Sequence, residues 1–106
     1  MNDKPQLICV KLNRLESFEF YGTCLARVAA LNHDDRVRRQ FSVYSDQSGF
    51  VAERIDDPDT IDVRYWGARC ASALDIYEFF GNEPLGNFLY GKLGIDVPGL
   101  RQVTVS

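Results

Sequence analysis

The twenty residues "RVRRQFSVYSDQSGFVAERI", Arg36 to Ile55, constrain this chain most. Val37, Arg39, Phe41 and Val43 alternate with Arg36, Arg38, Gln40, Ser42 and Tyr44, and a period of two is the side-chain repeat of a strand, not of a helix. In "SDQSG", Asp46 fits position i and Gly49 position i+3 of a type I turn, and the apolar pattern resumes at once in "FVAERI". A β-hairpin over 36–55 follows. One face of such a hairpin is apolar and has to be covered by something else in the chain.

The flanking segments supply more strands. "LICVKL" sets Ile8, Val10 and Leu12 at alternate positions. "SFEFYGTCLARVAAL" fits a strand with Phe18, Phe20, Cys24, Ala26 and Val28 on one face and Glu19, Tyr21, Thr23 and Arg27 on the other. It also has a weaker helical phase through Phe18, Gly22, Leu25 and Ala29; the strand is favoured because Gly22 would cost a helix interior about 1 kcal/mol relative to Ala. Past the break "DDPDT", "IDVRYW" places Ile61, Val63 and Tyr65 opposite Asp62, Arg64 and Trp66, and "LRQVTV" alternates again over 100–105 as a closing edge strand.

Between these lies a different pattern. Ser72 followed by Asp75 has the spacing of an N-terminal cap, predicting a helix over 73–80 stopped by Gly81. Asn82 is positioned to cap a second helix, with Pro84 in its first turn and Gly94 past its end. At 100° per residue the first presents Leu74, Ile76, Tyr77, Phe79 and Phe80, and the second Leu85, Phe88, Leu89 and Leu93. Gly86 shares that second face, where a missing side chain lets another backbone approach. The expected fold class is therefore α+β: an antiparallel β-meander of about four to six strands packed against two short helices near the C-terminus, with a last edge strand. At 106 residues it suits one domain, 1–106.

Residues 73–95 hold five of the twelve Phe and Tyr side chains, namely Tyr77, Phe79, Phe80, Phe88 and Tyr90. Most of this density is expected to be core; the part the sheet leaves uncovered would be a surface for a protein partner or for a second copy in a homo-oligomer. On that ground the leading expectation is a small non-enzymatic, protein-interaction or regulatory domain.

Two other binding classes have their own residues. Single-stranded nucleic acid would use Tyr21, Arg27, Arg36, Arg38, Tyr44, Arg64 and Trp66 on a polar sheet face, combining cations with stacking rings. Against it stands a net charge of −3, with seven Lys/Arg against five acids in residues 1–40 but five against ten in 41–106. The acidic half, through Asp56, Asp57, Asp59, Asp62, Asp75, Glu78 and Glu83, could instead imitate a polyanion and inhibit a nucleic-acid enzyme. "ERIDDPDTID" lacks the spacing and glycine of an EF-hand, so it reads as a solvated loop and not as a metal site.

Catalytic signatures are sparse. Cys9, Cys24 and Cys70 form no CxxC and make an odd number, which favours a reducing cytoplasm over a disulfide framework. A nucleophilic Cys24 or Cys70 would need His33, the single histidine, as its base, but thiols in apolar strand patterns usually act as small hydrophobes. Phosphate-loop, GxSxG and paired-His patterns are missing, so neither an enzyme nor a bound cofactor is expected. No apolar run approaches the roughly 18 residues of a membrane span.

Overall fold

In the computed structural model, which describes residues 5–13 and 16–95, the Arg36–Ile55 pattern becomes β3 (Val37–Asp46) and β4 (Gly49–Asp56), joined by Gln47 and Ser48. Asp46 fixes the turn: its Oδ1 accepts from the Ser48 N–H at 2.8 Å and from the Ser48 hydroxyl at 3.1 Å. Strands β1 (Gln6–Lys11), β2 (Ser17–Leu31) and β5 (Arg64–Cys70) extend the hairpin into a five-stranded antiparallel meander in the order β1-β2-β3-β4-β5. Residues 17–31 are thus strand throughout, as favoured. The sequence places the last of these strands too early. Ile61 and Asp62 lie in a turn held by Thr60, whose hydroxyl donates to the Asp57 carbonyl at 3.0 Å and accepts from the Asp62 N–H at 3.1 Å. Ile61 is consequently 99% exposed. The proposed strand over 100–105 lies outside the described residues.

The sheet does not present one apolar and one polar face. Cys24 pairs with Tyr44 but Ala26 pairs with Val43, so Leu25 is an extra residue, a β-bulge. Because side chains alternate, one inserted residue exchanges the faces of everything beyond it. Phe18, Phe20 and Cys24 therefore share the face of Tyr44, whereas Ala26 and Val28 share that of Val43 and Phe41. The single apolar face expected of β2 is divided between both sides of the sheet.

Both sides are consequently core. Val28, Phe41, Val43, Ala52 and Cys70 are covered by helices α1 (Ala73–Phe80) and α2 (Pro84–Leu93), which contribute Ile76, Phe80, Leu89 and Tyr90. On the concave side Val10, Phe20, Tyr44 and Val51 form a second cluster, with Ile8 and Phe18 packed against it. The sheet curls until β1 approaches β5. Gly67 permits this: a Cβ there would stand 2.6 Å from Val10 Cγ1 and 3.1 Å from Leu12 Cδ2, closer than packed carbons sit. Across the same closure Asn13 Oδ1 accepts from the Tyr65 N–H at 2.9 Å.

Helix α1 begins as its sequence predicts. The Ser72 side chain accepts from the Asp75 N–H, Asp75 accepts from the Ala71 N–H at 2.9 Å, and the chain turns at Gly81 with φ of 82°. Helix α2 differs in its cap, which is Glu83 and not Asn82. Asn82 instead accepts from Asn87 Nδ2 at 3.2 Å, while Glu83 accepts from Arg39 at 2.9 Å. The two helices close on each other at Gly86, where an added Cβ would lie 3.1 Å from the Gly81 carbonyl oxygen. Tyr90 donates to that same oxygen at 2.8 Å.

Candidate functional site

The five helical aromatics do not form one surface. Phe80 and Tyr90 are buried; Tyr77 and Phe79 pack partly covered against the same core, with Phe79 edge-on to Phe80. Phe88 alone stays largely exposed, next to Lys92, because the close contact at Gly86 turns Leu89 and Tyr90 inward and leaves Phe88 outward. Leu74 is exposed as well.

The seven residues grouped for nucleic acid are dispersed. Tyr21 lies on the outer face of β2, and Arg36 in the connection before β3. Trp66 is half-buried on the helix side, with the Arg54 guanidinium 4.4 Å from its ring centre. Arg64 is exposed at the start of β5, and Arg38 is exposed beside the second irregularity of the β2–β3 ladder. Arg27 and Tyr44 do come together, though in the concave face and not on an open platform.

Of the acidic group, Asp56 is engaged internally: Arg54 binds both its carboxylate oxygens, and Arg39 bridges it to Glu83. Burial alone would raise the Asp56 pKa, but the Arg54 hydrogen bonds and the charges of Arg54 and Arg39 outweigh it and hold the carboxyl below its usual range. Asp57, which adopts a positive φ of 49°, Asp59 and Asp62 lie in the following connection. Among the described residues no group of three or more His, Cys, Asp or Glu is placed to hold a metal ion. No helix among them is long and apolar enough to cross a membrane. His33 is exposed beside Asp34, Cys70 is buried under the helices, and no hydrogen bond among the described residues joins His33 to a thiol.

Sequence reasoning missed the cluster that the curl creates. Arg27 donates through Nε to Ser42 Oγ at 2.9 Å and through Nη2 to Tyr44 Oη at 3.0 Å; Tyr44 Oη donates in turn to Glu53 Oε1 at 2.7 Å. Ser42 and Glu53 are buried polar residues at 0% and 6% exposure. A buried carboxylate needs donors, and Tyr44 supplies one while Arg27 supplies charge through it. The phenol is pushed up to about 12, first by burial and then by its bond to Glu53. Alternation alone would have set Arg27 on the outer face; the bulge at Leu25 turns it inward.

Next to this cluster the concave face opens into a cleft of about 400 Å³ lined by Gln6, Leu7, Ile8, Gly22, Thr23, Cys24, Arg27 and Tyr44. Gly22 lets β3 come close at its edge, since a Cβ there would stand 2.3 Å from the Ser45 carbonyl oxygen. On the opposite, outer face of the β1–β2 ribbon, Leu7 and Tyr21 are cross-strand partners, exposed to 56% and 67%. Cys9 and Glu19 form the next pair, and Lys11 and Ser17 the one after. No family model, curated protein or solved structure matches the chain.

Proposed function

We propose that the protein is a non-enzymatic interaction domain whose contact surface is the outer face of the β1–β2 ribbon, and that its partner is a second copy of itself. The observation that carries this reading is the Leu7–Tyr21 pair, two large apolar side chains side by side where neither helix covers them. The same face carries one cation and one anion, Lys11 and Glu19, on opposite strands and both exposed. Under two-fold symmetry each copy sets its Lys11 against the other's Glu19, so the patch is complementary to itself. An area two strands wide falls below the roughly 1,000 Å² of a stable interface, which gives a weak, reversible dimer.

The aromatic helix surface is a poorer candidate, with Phe80 and Tyr90 committed to the core. Sedimentation equilibrium of the wild type and Tyr21→Asp tests the reading. A monomer–dimer equilibrium abolished by the substitution supports it; a wild type that stays monomeric at millimolar concentration contradicts it.

A further inference from the structure

We infer that the concave cleft beside Arg27 binds a carboxylate bearing a short apolar tail. The guanidinium is held from one side by the protein. Its side-on edge, Nε and Nη2, is occupied by Ser42 and Tyr44, and both contacts are internal. Its other edge, one N–H on Nη1 and one on Nη2, has no protein acceptor among the described residues, and Arg27 is exposed where it lines the cleft. Two parallel N–H groups held in a fixed plane match the two oxygens of a carboxylate, and the internal bonds remove the rotamer freedom that a surface arginine would lose on binding.

Charge alone would suit any oxyanion; the lining selects among them. Ile8, the backbone of Gly22 and the Cys24 side chain give one side of the cleft an apolar wall, and its volume falls in the range of small-ligand sites. Glu53 is buried, bonded to the Tyr44 hydroxyl, and does not line the cleft, so an incoming carboxylate does not meet it directly. The bulge at Leu25 is the device that builds the site, because it puts Arg27 on the same face as Cys24, three residues earlier. Self-association uses the other face of the ribbon, and Leu7 is the one residue at the border of both.

The test is an NMR titration of the full ¹⁵N-labelled chain with hexanoate, 1-hexanol, inorganic phosphate and N-acetyl-leucine. Saturable shifts at Gly22, Cys24 and the Arg27 Nε–H with hexanoate, at least about tenfold weaker with hexanol and with phosphate, are expected. Arg27→Lys keeps the positive charge but loses the planar pair and should weaken hexanoate about tenfold. Cys24→Leu, which fills the cleft without touching the guanidinium, should weaken it as well. Tighter binding of N-acetyl-leucine than of hexanoate would assign the site to the C-terminus of a peptide, and the reverse order to a free acid. Equal binding of hexanol and hexanoate, equal binding of phosphate and hexanoate, unchanged affinity in a folded Arg27→Lys protein, or absence of saturable shifts overturns the inference.

Discussion

Tyr44 donates its phenolic hydrogen to Glu53 across the β3–β4 pair at 2.7 Å, inside a face whose sequence reads as solvated. The oxygen of that same hydroxyl accepts from Arg27, so one phenol lies between a buried anion and a cation at the cleft. Removing the phenolic oxygen strands both. Tyr44→Phe should cost about 1–3 kcal/mol, the penalty for leaving a buried charged acceptor without its donor, read from urea denaturation at pH 7. Glu53→Gln, which can still accept from Tyr44, should cost less.

The same phenol gives an alkaline signature. Its folded pKa is raised to about 12 from 10.0, so its contribution to stability is fully present below pH 10 and is lost as pH rises through 12. Burial raises Tyr90 as well, so in ultraviolet titration the late phenolate component should be smaller by one tyrosine in Tyr44→Phe than in the wild type. Loss of no late component on that substitution would show that the phenol is not held as described.

Asp56 predicts the opposite limb. Its folded pKa is depressed below 3.8, so the stability it contributes is present above that value and is lost as pH falls through the folded pKa. Asp56→Asn should destabilise the protein by about 1.5–3 kcal/mol at pH 7, the range for hydrogen bonds to charged groups, and the difference from wild type should shrink below pH 3.8. Thermal unfolding at pH 7 and pH 3 reads both.

Curling of the sheet depends on Gly67. Gly67→Ala sets a methyl 2.6 Å from Val10 Cγ1 and should destabilise by about 1–3 kcal/mol, the usual cost of overpacking. Val10→Ala removes that clash, so the double variant should be more stable than the sum of the two single changes predicts. Strict additivity would mean that β1 and β5 do not meet at this contact.

Much of this architecture was legible in the chain, and what was not has identifiable causes. The β3–β4 hairpin was readable because Asp46 and Gly49 mark the turn and the flanking alternation is unbroken. Both helices were readable from Ser72, Asp75, Pro84 and Gly94, each of which acts at its own helix end. The bulge at Leu25 left no trace, because Cys24, Ala26 and Val28 are small apolar residues that either face accepts, so their even spacing suggested one continuous face. The site is hidden with it, since unbroken alternation sets Arg27 outward. Ile61 misled for a different reason: a β-branched residue reads as strand, but the Thr60 hydroxyl satisfies the local backbone as a turn. Phe88 followed the helical period, yet the orientation of α2 is set by Gly86 against Gly81 and by the Tyr90 hydroxyl, contacts that periodicity does not encode.

The claim that the outer β1–β2 face pairs with itself meets its most direct test in a charge exchange. Lys11→Glu and Glu19→Lys would each set like charges against one another in the dimer and should weaken it, whereas the double variant restores opposite charges across the two-fold axis and should recover wild-type association. The measurement is sedimentation equilibrium of the four proteins at low salt, where such pairs are least screened. Weakened single variants with a restored double variant are the predicted result; four identical association constants, or a double variant as weak as the singles, would contradict it.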